Sequence, residues 1–240
     1  MATKTAVRRG TMRNMDRELA PDYNRGTIEN SVVLNSFQAQ EVFRRTYELT
    51  NAALYSLGPI LRAVVNEDED VEKVVGLVKA TLEKVQKEIA DERARLELLL
   101  KNNEIFDTVK FTKPQTVIAE ISSPHSATYL GLVAGIDSIV AQMTALWLHG
   151  IVSDKDYSNR LFQWQRRMRR VSLDLRNINR QAMRAAKRKR AEMIKAEQAL
   201  AEKKAQEAAK EAETIEEKPE GKGKKKTEIP EVDQPQSLAV

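Results

Sequence analysis

The chain of 240 residues has no cysteine, which excludes disulfide scaffolds, thiolate zinc sites and thiol nucleophiles, and is compatible with a reducing compartment. It has only two histidines, His125 and His149, and no cluster of carboxylates near either in sequence, so packing or helix capping is the expected role for both rather than metal ligation. Acid pairs are frequent, but on charged helix faces these read as solvated surface. A glycine-rich phosphate loop is missing as well. Gly221-Lys222-Gly223-Lys224 lies in low-complexity sequence without the strand before it and helix after it that a phosphate cradle needs. Long apolar runs are nearly absent. Leu130 to Leu148 is the one membrane candidate; Asp137 and Gln142 interrupt it, and a buried core helix accounts for the same residues. The N-terminal arginines are followed by no apolar stretch of the kind a secretory signal contains. These absences point away from an enzyme and toward a cytoplasmic protein with no cofactor, metal, membrane or evident small-molecule ligand.

What the chain does have is charge, unevenly placed. The formal net charge is +5, yet residues 160–190 carry twelve basic side chains against the single acid Asp174, leaving a net −6 for the remainder. Such a cationic segment favours a polyanionic partner, with counterion release driving association. Charge of this kind supplies grip, whereas sequence choice needs side chains at base edges.

The pattern divides into a basic arm at 1–26, a helical body at 27–190 and a charged helical to disordered tail at 191–240. Thr27 to Leu34 alternates as a strand. Asn35 with Gln38 resembles a helix start, followed by Phe37, Val42, Phe43, Leu49 and Leu54 at helical spacing, and Gly58-Pro59 kinks or ends that helix. From about Asp68 to Lys101, Val71, Val75, Val78, Leu82, Val85, Ile89, Glu92, Leu96 and Leu99 step by fours and threes, a heptad seam that serves either dimerisation or an internal helical hairpin. A second extended region follows. In it Thr108, Lys110 and Thr112 alternate with Val109 and Phe111, Pro114 interrupts, and Thr116 to Ile121 continues. Ser123-Pro124 opens a helix that ends at His149-Gly150, and Ser153 with Asp156 starts the long basic helix. Its apolar positions run out beyond Arg180, where the helix is expected to leave the core. The order is strand, helix, helix, twice over.

The candidate site residues are of two kinds. Arg166, Arg167, Arg169 and Arg170, with Arg8, Arg9 and Arg13 of the arm, are phosphate-gripping candidates. Thr108, Lys110, Thr112 and the adjoining Lys113 are candidates for a two-stranded ribbon in the major groove, since Lys and Thr suit base-edge or phosphate contact. An ordinary edge strand guarded by its lysine explains the latter pattern equally well.

Several stretches resemble the AcaB-like proteins of conjugative plasmids and integrating conjugative elements: Val33-Leu34-Asn35-Ser36-Phe37-Gln38-Ala39-Gln40 with Val42-Phe43, Ile121-Ser122-Ser123-Pro124-His125, Ile136-Asp137, Leu146-Trp147-Leu148-His149-Gly150 and Arg169-Arg170-Val171. The resemblance is scattered over roughly residues 27–180. It implies a transcriptional regulator of conjugative transfer genes, an activator that binds double-stranded promoter DNA as a homodimer through a ribbon-helix-helix motif. The expected fold is therefore mainly α with short strands, a ribbon-helix-helix-like core elaborated by long helices. Thr108 to Thr112 is favoured as the ribbon over Thr27 to Asn35, whose Glu29 would face phosphate. The alternative is a structural or adaptor protein of the transfer apparatus that binds protein partners through its heptad seam and tail.

Overall fold

The computed structural model describes residues 26–64 and 68–216. Two compact units are distinguished, Met1–Glu192 and Met193–Val240. In the first, β1 (Ile28–Leu34) leads into α1 (Phe37–Tyr55), which passes through a π-helical turn at Ser56–Ile60 into the short α2 (Leu61–Val64). Then come α3 (Asp68–Asn102), β2 (Gln115–Ile121), α4 (Pro124–Leu148) and α5 (Asp154–Glu216). The fold is mainly α, with one two-stranded antiparallel sheet. In the second unit the described residues continue α5, and their side chains are exposed from Met193 through Gln206.

Local signals account for most helix ends. The hydroxyl of Ser36 caps α1 by accepting from the Ala39 amide, and that of Ser123 caps α4 by accepting from Ser126, with Pro124 in the first turn. The cap of α1 is thus one residue later than the Asn35 expected. Gly58-Pro59 sits in the π-helical turn, where proline's missing amide breaks the regular ladder. At the end of α4, Gly150 takes φ +72°, and the amides of Gly150 and Ile151 bond back to the carbonyls of Trp147 and Leu146, the left-handed cap that glycine permits. Ser153 and Asp156 cap α5 reciprocally: the Ser153 hydroxyl donates to the Asp156 carboxylate at 2.8 Å and accepts from its amide at 3.2 Å.

The heptad seam is spent inside the chain. Val71, Val78, Leu82, Val85, Ile89 and Leu96 are buried in the common core, and α3 packs along α4. Gly135 allows close approach between the two helices: a β-carbon there would lie 2.8 Å from Ile89 Cγ2. Of the two roles the seam allows, internal packing is the observed one. It also explains α4, which is long and apolar enough to cross a membrane yet is largely buried by its neighbours, as a core helix is.

Cross-links give the helix directions. Tyr129 Oη on α4 donates to Thr46 Oγ1 on α1 at 2.8 Å, while Asp137, further along α4, meets Asn35 and Ser36 at the start of α1, so α1 and α4 run antiparallel. On α5, Arg160 meets Glu92 and Arg167 meets Glu88, with Lys189 reaching Asp70, which sets α5 antiparallel to α3. Beyond Arg180 the helix does not leave the core as expected: Ala182 and Met183 are half-buried and Ala186 is buried against it. Two of the three side chains in this contact are alanines, which a search for large apolar residues passes over.

Candidate nucleic-acid interface

The ribbon pairs Ile28 with Ile121, Asn30 with Ala119, Val32 with Val117 and Leu34 with Gln115; Glu29, Ser31 and Val33 lie opposite Glu120, Ile118 and Thr116. Directly opposed residues share a face. One face therefore packs Val32, Leu34, Val117, Ala119 and Ile121 on the core, and the other presents Glu29, Ser31, Val33, Thr116, Ile118 and Glu120 to solvent. Val33 and Ile118 stay 54% and 66% exposed on that outer face.

This overturns the expected ribbon. Thr108 to Thr112 forms no strand, and the disfavoured segment around Glu29 forms β1. All seven residues of β1 pair with Gln115–Ile121, so that segment, and not Thr108 to Thr112, is the second strand of the ribbon. Pro114 lacks an amide to extend the ladder, and the Gln40 side-chain amide closes its end by donating to the carbonyls of Leu34 and Lys113, each at 2.9 Å. The inward and outward alternation itself is present without a strand: Val109 and Phe111 pack against the core, while Thr108, Lys110, Thr112 and Lys113 are exposed.

The basic helix is sorted by its helical period. Leu161, Met168, Val171, Leu175 and Ala186 are buried on one side. At about 100° per residue, Phe162, Arg166, Arg170, Leu173, Asn177, Arg180, Arg184 and Arg188 line the opposite side. Phe162 and Leu173 are 58% and 46% exposed there. Among the described residues, Arg166, Arg170, Arg184 and Arg188 make no ion pair, and Arg180 bonds the Asn177 side chain. The flank of the helix is different. Arg167 makes a bidentate pair with Glu88 at 2.7 and 2.9 Å, Arg160 contacts Glu92 at 3.1 Å, and Lys189 pairs with Asp70. The Glu88 hydrogen bond holds the Arg167 guanidinium pKa above its ordinary value. Arg169 is half-buried, its Nε enclosed without a partner among the described atoms. The four arginines expected to act together therefore divide into Arg166 and Arg170, open to a ligand, and Arg167 and Arg169, engaged with the fold. Part of the basic surplus is neutralised within the chain by α3. Arg8, Arg9 and Arg13 lie outside the described residues.

The histidines have local duties. His149 Nε2 lies 3.2 Å from an Asp107 carboxylate oxygen at the end of α4. His125, at the start of α4, has its pKa lowered by burial and then by Lys79. Among the described residues no group of three or more His, Cys, Asp or Glu side chains could hold a metal ion.

These features define a class: a helical body that carries a two-stranded ribbon and an arginine-faced helix. A solved structure similar to this chain is the selenomethionine-containing crystal structure of AcaB from uropathogenic E. coli, which matches with a TM-score of 0.67 and 25% identity over 69% of this chain and 86% of that one. The chain is similar to AcaB in fold, in agreement with the resemblance read from its residues. No family model matches it, and no curated protein does.

Proposed function

We propose that the protein is a sequence-specific, double-stranded-DNA-binding transcriptional regulator of conjugative transfer genes, an activator of ribbon-helix-helix type. The observation that carries the reading is the outer face of α5, where Arg166, Arg170, Arg184 and Arg188 stand exposed without internal anions among the described residues. A row of uncompensated guanidinium groups on a docked helix is suited to phosphate contact, since the backbone of the helix is already ordered and only side chains are restrained on binding. The AcaB-like fold supports the same direction. Lys110 and Lys113, exposed beside the ribbon's entry, add phosphate contacts.

In this reading base selection moves from Thr108 to Thr112 onto the outer face of the ribbon. Ser31 and Thr116 offer hydroxyls, Val33 and Ile118 offer methyl groups that suit thymine, and Glu29 and Glu120 accept from cytosine amino groups. The ribbon forms within one chain, so a homodimer, if assembled on a palindromic site, would present two ribbons rather than share one. Titration of the purified protein with its own upstream promoter and with random duplex tests the reading. Ser31→Ala/Thr116→Ala is expected to reduce the preference for the promoter by about tenfold or more, at the low end of a base-edge contact, with little loss on random DNA. Equal losses on both duplexes, or none, would remove the ribbon from base reading.

A further inference from the structure

The two strand-helix-helix units hold each other at equivalent points. The Asp137 carboxylate, in the middle of α4, accepts four hydrogen bonds from the junction between β1 and α1: from the Asn35 amide and side chain at 3.0 Å each, from the Ser36 amide at 2.7 Å, and from the Ser36 hydroxyl at 2.6 Å. Asn51, on α1, holds the junction between β2 and α4 in return, accepting from the Ser122 hydroxyl at 2.7 Å and donating to the Glu120 carbonyl at 2.7 Å. Both side chains are buried, Asp137 at 7% and Asn51 at 2% exposure. Leu34-Asn35-Ser36 and Ile121-Ser122-Ser123 are the corresponding strand-to-helix turns, each ending in the serine that caps its helix.

A buried carboxylate with four neutral donors is costly to place and costly to disturb, because each orphaned amide or hydroxyl would bear its own desolvation cost. The contacts fall on the turns at the two ends of the ribbon. We propose that Asp137 and Asn51 are positioning residues, a reciprocal latch that fixes the ribbon on the helical body, so that the selectivity of the ribbon's outer face depends on two side chains that do not belong to it. The selectivity clause rests on the base-reading role proposed above; the mounting of the ribbon does not.

Asp137→Asn keeps the volume but turns a donor toward the junction amides, and Asn51→Asp keeps the acceptor for Ser122 while losing the donor to Glu120. Hydrogen exchange on the free full-length chain should show the amides of β1 and β2 exchanging at least tenfold faster in either variant, with the α3 amides around Leu82 and Val85 unchanged. An Asn35→Ala background should shrink the effect of Asp137→Asn, since part of the latch is already gone. A rise in exchange spread equally over α3 and the ribbon, or no rise, would overturn the latch. If Asp137→Asn does not fold, Asn51→Asp carries the test with the same two outcomes. Because this readout uses no DNA, loosened ribbon amides with an unchanged promoter-to-random ratio would reject base reading by the ribbon and leave its mounting intact, whereas loosened amides with a diminished ratio support both.

Discussion

At Glu92 two guanidinium groups converge on one carboxylate. Arg95 contributes bonds at 2.8 and 2.9 Å and Arg160, from α5, one at 3.1 Å. The Arg95 hydrogen bond is the largest influence holding the Glu92 pKa below the usual glutamate value, and it outweighs the opposing effect of burial. The sign of the linkage follows. A lowered folded pKa stabilises the fold above the unfolded carboxyl range, near pH 4.3, and the contribution disappears as pH falls through the folded value. Glu92→Gln should therefore lower the thermal midpoint at neutral pH, modestly because the group is part-exposed, and the gap from the parent protein should close in acid. Melting curves followed by circular dichroism across pH 3 to 7 check this; a gap that stays constant with pH would contradict it. The same residues mark the limit of reading single positions in sequence. Arg166 and Arg167 are adjacent and chemically identical; the helical period puts them on different sides of α5, and the acid that engages Arg167, Glu88, lies far away in sequence. The identity of that acidic partner is not carried by the residues near Arg167.

Among the elements, α3 shows what a strong pattern can and cannot convey. Its heptad spacing specified a helix and a buried stripe, and Leu82, Val85 and Leu96 are indeed almost fully buried. The partner of the stripe was open, because any apolar helix satisfies it, and α4 is that partner. Leu82→Ala should cost about 2–5 kcal/mol of folding stability, measured by urea unfolding, without changing the sedimentation coefficient of the folded protein. Dissociation of an assembly by that substitution would instead show the seam working between chains. The Ser123 and Ser153 caps, the Gly58-Pro59 break and the Gly150 terminus were legible because their physics is local. The strand pairing was not. The outer side of β1 is exposed almost throughout, so its apolar alternation is weak, while the more regular alternation of Thr108 to Phe111 belongs to an extended connection that docks two side chains and joins no ladder. Pairing is a choice among distant segments, and Pro114 is the one local clue that the ladder begins after it.

At the scale of the whole first unit, the ribbon and its two supporting strand-to-helix turns are complete within one chain, and the basic helix is docked against the same core through Ala186. In the proposed reading, grip belongs to α5 and selection to the ribbon. The basic character of residues 160–190 was plain from composition, but the division of those cations between α3 acids and solvent appears only once the helices are packed. The most direct measurement is the salt dependence of binding to a duplex of the protein's own promoter, by fluorescence anisotropy between about 50 and 200 mM salt. The logarithmic slope should be steep for the parent protein, and for Arg166→Gln/Arg170→Gln/Arg184→Gln/Arg188→Gln it should flatten by roughly one unit for each phosphate no longer neutralised, with weakening on promoter and random duplex alike. A flat slope in the parent protein, or a slope unaltered by removing these four arginines, would contradict α5 as the surface that grips DNA.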